Sequence, residues 1–82
     1  MARITVRYFA AAADAAGREE EAWELGAPAT LAALRAELIE EYGAAMQRVI
    51  RSGSFLVDGT VRRDDGEVTG DVVDVLPAFA GG

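Results

Sequence analysis

The chain closes on Leu76-Pro77-Ala78-Phe79-Ala80-Gly81-Gly82, and this end is where its residues could do chemistry. Beyond Phe79 no side chain is larger than a methyl, so a free carboxylate on Gly82 can be threaded through a narrow channel into another protein's active site. The proline stops strand pairing, because it has no backbone N–H to give to a ladder. From Pro77 to Gly82 the tail spans roughly 20 Å when extended at about 3.3–3.6 Å per residue. It is long enough to reach well beyond the body of a small domain.

Little else in the chain offers reactive chemistry. There is no cysteine and no histidine, and all eight basic residues are arginine. Those absences exclude disulfide staples, thiolate zinc sites, a cysteine nucleophile, a histidine-containing triad and a phosphate-loop lysine. Asp64, Asp65, Glu67, Asp71 and Asp74 do not follow the calcium-loop spacing and are expected to be solvated. The chain is therefore not expected to be an enzyme on its own, nor to hold a metal or a bound cofactor. Any sulfur chemistry would use imported sulfur.

Charge and length narrow the partners. Fourteen acidic residues against eight basic ones give a net charge of −6, the opposite of a nucleic-acid footprint, and favour a basic protein partner. Eighty-two residues make one domain with a single modest core. No apolar run approaches the roughly 20 residues that cross a bilayer, and no secretory signal precedes the first strand pattern. The expectation is a cytoplasmic protein with no membrane partner.

The elements that must position the tail follow from periodicity. Ile4, Val6 and Tyr8 alternate with Arg3, Thr5 and Arg7, the period of a half-buried strand, and Phe9 falls on the arginine face. Ala10 to Gly17 predicts a short helix or turn. Trp23 and Leu25 share one face of a second strand, hairpin-paired with the first, whose acidic start Glu19-Glu20-Glu21 is expected to be a solvated edge. Thr30 is a good N-cap, and Leu31, Leu34, Leu38 and Tyr42 recur at helical spacing up to Gly43. Met46, Val49 and Ile50 suggest a second short helical piece. Asp58-Gly59 is a type I′ hairpin signal between Phe55-Leu56-Val57 and a strand containing Val61. Val72 to Leu76 forms the last strand, with Val73 and Val75 toward the helix.

This order predicts an α+β fold, a mixed sheet with one main helix packed on one face. Residues 1–76 form the domain and 77–82 the flexible tail. The opposite sheet face carries Phe9, Val61 and Leu76 among Arg7 and Asp74. Grouped beside the tail, they make a candidate docking surface.

Tyr8-Phe9-Ala10, Gly17, the acidic second strand, Thr30-Leu31, Val57-Asp58-Gly59, Gly70-Asp71-Val72-Val73 and the Pro77–Gly82 tail together resemble the small subunit of molybdopterin synthase. That family lies in the ubiquitin-like β-grasp group, which also includes the thiamine sulfur carrier ThiS. The resemblance covers essentially the whole chain. Ala78 stands where a second proline is usual, and Phe79 where a small aliphatic residue is frequent.

The resemblance implies a sulfur carrier. Gly82 would be adenylated by a ubiquitin-activating-like adenylyltransferase using ATP in trans, then converted to a thiocarboxylate by a persulfide sulfur donor. Gly81 would give the tail its slender passage. Phe9, Val61, Leu76, Pro77, Phe79 and Ala80 would bind the partner, the large synthase subunit, where catalysis of molybdopterin synthesis would reside. Other acceptors of the same tail are thiamine, cysteine or tRNA thiolation, or a target lysine if the chain is a ubiquitin-like modifier.

Overall fold

The computed structural model describes residues 2–78. In chain order the elements are β1 (Ala2–Tyr8), α1 (Ala11–Ala16), β2 (Glu20–Leu25), α2 (Leu31–Tyr42), α3 (Ala44–Ser52), β3 (Ser54–Val57), β4 (Thr60–Arg62) and β5 (Val72–Leu76). The five strands form one sheet in the order β2-β1-β5-β3-β4. The central pair, β1 with β5, is parallel, and every other neighbouring pair is antiparallel. Such a parallel pair cannot be closed by a hairpin, so the helices lie in the long connection between its strands.

Period-two alternation decides which side chains meet the helices. Ile4, Val6 and Tyr8 on β1, Leu25 on β2, Phe55 and Val57 on β3, and Val73 and Val75 on β5 are buried in one cluster. Leu31, Leu34 and Leu38 cover them from α2, Met46 and Val49 from α3, and Ala12 from α1. As expected from its cap, α2 starts where the Thr30 Oγ1 accepts the N–H of Ala33 at 3.1 Å. It stops where the N–H of Gly43 reaches the Ile39 carbonyl at 2.8 Å. The Asp58-Gly59 hairpin takes φ of 47° and 85°, the positive values that its turn type requires. Among the described residues no helix is long and apolar enough to cross a membrane.

The acidic edge departs from expectation at one residue. Glu19 and Glu20 are exposed, but Glu21 is half-buried and tied into the domain. Its Oε1 accepts from the Tyr8 hydroxyl at 2.8 Å, from Trp23 Nε1 at 3.1 Å and from the Tyr42 hydroxyl, while Arg18 approaches Oε2 at 3.4 Å. The two tyrosine rings meet edge to face, 6.0 Å between centroids. Burial pushes the Glu21 carboxyl up, but the hydrogen bonds from Tyr42 and Tyr8 with the Arg18 charge outweigh it and hold the group below its ordinary value. Burial first, then the bond to Glu21, drives the Tyr42 hydroxyl up. The physical reason is parity: Glu21 shares its strand face with Trp23 and Leu25, not with Glu20.

Two further carboxylates expected to be merely solvated are also engaged. Asp64 takes two hydrogen bonds from Arg62, at 2.7 and 2.8 Å, and one from the Gly66 N–H at 2.8 Å, which together hold its carboxyl well below the usual range. Asp65 pairs with Arg35 of α2. Both stay exposed at the surface, as do Glu67 and Asp71.

Two predictions follow from this packing. Leu38→Ala removes a side chain with no exposed surface and should cost about 2–5 kcal/mol, read as a lower urea midpoint at unchanged slope. Glu21 is lowered on folding, so its contribution is complete above the unfolded carboxylate range of about 4.3 and disappears as pH falls through its folded value. Between pH values of about 3 and 6 the parent should lose stability more steeply on acidification than Glu21→Gln, compared by denaturation midpoints.

Candidate functional site

The sheet face away from the helices is open. Pairing register places Arg7 beside Asp74, Asp74 beside Leu56 and Leu56 beside Val61, a row that crosses four strands. The next row holds Leu76 opposite Ser54. Phe9 lies one step past β1, where its N–H reaches the Val75 carbonyl at 3.3 Å, and this sets it alongside Leu76. Phe9 is 41% exposed and Val61 60% exposed. Leu76 is half-buried.

The three apolar residues expected to share this face do share it, but Phe9 and Val61 are not neighbours. They stand three strand spacings apart, roughly 14 Å at about 4.8 Å each. Leu76 and Leu56 bridge them. Leu56 was not singled out from the sequence, although the inward alternation of Phe55 and Val57 leaves it pointing outward.

At the centre of the face sits an ion pair. Arg7 Nε donates to Asp74 Oδ1 at 2.6 Å and Arg7 Nη2 to Oδ2 at 2.9 Å, a two-pronged bond across the parallel pair. That bond, followed by the Asp74 charge, raises the guanidinium above its ordinary value. Asp74 was expected to be solvated, yet it is buried at 8% exposure. It belongs to the middle strand of the sheet, so β1 and β3 flank it on both sides and Arg7 shields it above. Arg7 also lies 5.9 Å from the centre of the Phe9 ring, which links the pair to the apolar surface.

Past the last strand the chain turns to the helix side, where Pro77 and Ala78 line a hollow with Ala11 and Ala15 of α1 and Ala45 and Val49 of α3. Leu76 makes the last pairing of β5, Pro77 is half-buried and Ala78 is exposed. Phe79, Ala80, Gly81 and Gly82, where the acyl chemistry is expected, lie outside the described residues. Among the described residues, no group of three or more carboxylates, histidines or cysteines is placed to hold a metal ion. Apolar side chains flank the satisfied pair on the β5, β3 and β4 side, and exposed Glu20, Glu24 and Arg3 stand toward the β2 edge.

Comparison with known proteins places this geometry. The model of the ThiS family matches residues 6–82. A candidate molybdopterin converting factor, subunit 1, from Pyrococcus furiosus is similar at 28% identity and a TM-score of 0.82, over 96% of this chain and all of that one. The HVO 2177 protein of Haloferax volcanii is similar at 25% identity and a TM-score of 0.71, over 99% of this chain and 87% of that one. SAMP1 of Haloferax volcanii, at 20% identity and a TM-score of 0.76 over 98% and 99%, shares the fold. No curated protein sequence matches. The mixed five-stranded sheet with helices on one face is the ubiquitin-like β-grasp architecture.

The ion pair generates an asymmetric prediction. The Arg7 side chain is 48% exposed against 11% for Asp74, so an Arg7 left alone can hydrate whereas an Asp74 left alone cannot. Arg7→Leu should therefore lower the denaturation midpoint more than Asp74→Asn does. Equal losses in the two variants would mean that the carboxylate is not shielded as described.

Proposed function

The chain belongs to the ThiS family, and from that membership we propose that it carries sulfur on Gly82 as a thiocarboxylate and delivers it for molybdopterin synthesis. The observation that supports this reading most directly is the extent of the family match, which runs through both terminal glycines. The choice of acceptor rests on the similarity to the Pyrococcus furiosus protein named for molybdopterin conversion.

In this mechanism the Gly82 carboxylate attacks the α-phosphorus of ATP on an adenylyltransferase, and pyrophosphate leaves. The acyl adenylate is then open to nucleophiles because AMP is a good leaving group, which the bare carboxylate lacks. The terminal sulfur of a persulfide attacks the carbonyl carbon, AMP departs, and a thiol cleaves the resulting acyl disulfide. The products are a Gly82 thiocarboxylate and a disulfide. The large synthase subunit would then draw the sulfur onto cyclic pyranopterin monophosphate.

The chain's own part is docking and reach. Phe9, Leu56, Val61 and Leu76 supply apolar surface for a partner, and Arg7 has already neutralised the one buried carboxylate on that face. Covering Asp74 with a partner would thus strand no unpaired buried carboxylate, while the exposed Arg3, Glu20 and Glu24 lie toward the β2 edge of the same face. Pro77 ends the ladder, and the four residues past Ala78 span about 13–14 Å when extended, enough to cross the wall of an active site. Lysine and cysteine are absent from the chain, so no internal amine or thiol can intercept the activated carbonyl.

Intact-mass analysis tests the chemistry. After incubation with the adenylyltransferase, ATP and a persulfide donor, the full-length chain should gain the mass of one oxygen replaced by sulfur, and a chain lacking Gly82 should gain nothing. Equal loading of both forms, or none of the parent, overturns the carrier reading. Val61→Arg should weaken capture by the large subunit about tenfold or more with an unchanged melting temperature. Transfer from the loaded chain to an acceptor other than the pyranopterin would reassign the pathway and keep the carrier.

A further inference from the structure

On the helix side of the sheet a cavity of about 350 Å³ opens between α2, α3 and β3. Ile39, Ile50 and Phe55 contribute apolar lining, and Arg35, Arg51 and Arg63 line it as well. Three of the chain's eight arginines thus meet at one cavity of a protein whose net charge is −6.

These arginines are not equivalent. Arg35 is committed: it pairs with Asp65, donates to the carbonyl oxygens of Asp64 at 3.1 Å and Arg63 at 3.3 Å, and lies 5.1 Å from the centre of the Phe55 ring. It builds a rigid wall and ties down the segment that carries Arg63. Arg51 and Arg63 have no ion-pair partner among the described residues. Gly53 brings Arg51 to the rim, since a Cβ there would collide with the Leu76 carbonyl oxygen and hold the end of α3 away from β5. Asp65 is the cavity's single carboxylate, and Arg35 already neutralises it.

We propose that this cavity is a binding site for a small aromatic phosphate monoester. A phosphate monoester carries a charge of about −1.5 to −2 and three acceptor oxygens, which matches two unpaired guanidiniums better than a carboxylate does. The flat body lies against Ile39 and Ile50, beside the Arg35 guanidinium that covers the buried Phe55 ring. The volume is at the lower end of the range of about 300–1,000 Å³ for ligand sites, the size of one fused ring system with its phosphate. The site does not rest on the carrier reading: Phe55 and Val75 point to the helix side, whereas Leu56 and Asp74 belong to the opposite, docking face.

The test is titration of the full-length chain with naphthyl phosphate, followed by calorimetry and amide chemical shifts, beside parallel titrations with naphthol and inorganic phosphate. Saturable one-to-one binding is expected, with shifts centred on residues 50–55 and 63–65 and an affinity at least about tenfold above that of either fragment. The double variant Arg51→Ala/Arg63→Ala should lose about tenfold or more in affinity, with an unchanged thermal midpoint because both side chains are exposed. Naphthol binding as tightly as its phosphate, undiminished binding by the double variant, or no saturable response overturns the proposal. So does a polyglutamate peptide that perturbs these residues when naphthyl phosphate does not, which would point to an acidic protein partner.

Discussion

The parallel pairing of β1 with β5 is the constraint on which the rest of the molecule depends. It puts the last strand of the chain in the middle of the sheet, between β1 and β3, so that the domain is closed only when its C-terminal residues arrive. The connection that joins the two strands must cross one face, and it does so with the helices that bury Val6, Val73 and Val75. Because β5 is central, its outward side chain Asp74 is shielded by neighbours on both sides and needs the two-pronged bond from Arg7. The same placement sets Leu76, the last paired residue of β5, alongside Phe9 at the end of β1.

Charge in this protein is arranged by pairing within the domain rather than by surface hydration alone. Glu21 is held by two tyrosines, a tryptophan and an arginine, Asp74 by Arg7, Asp64 by Arg62 and Asp65 by Arg35. These bonds do different work. The Glu21 cluster fastens the edge strand β2 to α2 through Tyr42, and the Arg62 and Arg35 bonds hold the connection after β4 against the helix layer. The Arg7 bond, by contrast, lies on the open face of the sheet. Among the described residues Arg51 and Arg63 have no ion-pair partner, and both line the hollow beside α2 and α3.

The two faces of the sheet are consequently different surfaces with different chemistry. On the open face Phe9, Leu76, Leu56 and Val61 flank a satisfied charge pair, with exposed charges at the β2 edge. The helix side offers a small concave space with unsatisfied positive charge, which suits a compact anion. Strand alternation separates them, since residues one apart on β3 and β5 serve opposite faces.

Much of the architecture is legible in the order of residues, because strand and helix periods are local. The bounds of α2 from Leu31 to Tyr42, the cap at Thr30, the Asp58-Gly59 turn and the inward facing of Val73 and Val75 all follow from neighbours a few residues away. So does the joint placement of Phe9, Val61 and Leu76 on one face, and the terminal Gly81-Gly82 on which the proposed chemistry rests is plain in the sequence itself. What tertiary structure alone decided is the fate of the charged groups. Whether a carboxylate is solvated or paired depends on the partner that folding brings to it: Arg7 and Asp74 are 67 residues apart in the chain, and Arg35 and Asp65 are 30 apart. The bridging role of Leu56 required the register of β3 against β4, and the arginine-rimmed cavity required three elements to converge. Periodicity carries the direction in which a side chain points, but the distance to its partner exists only once the sheet has closed around β5.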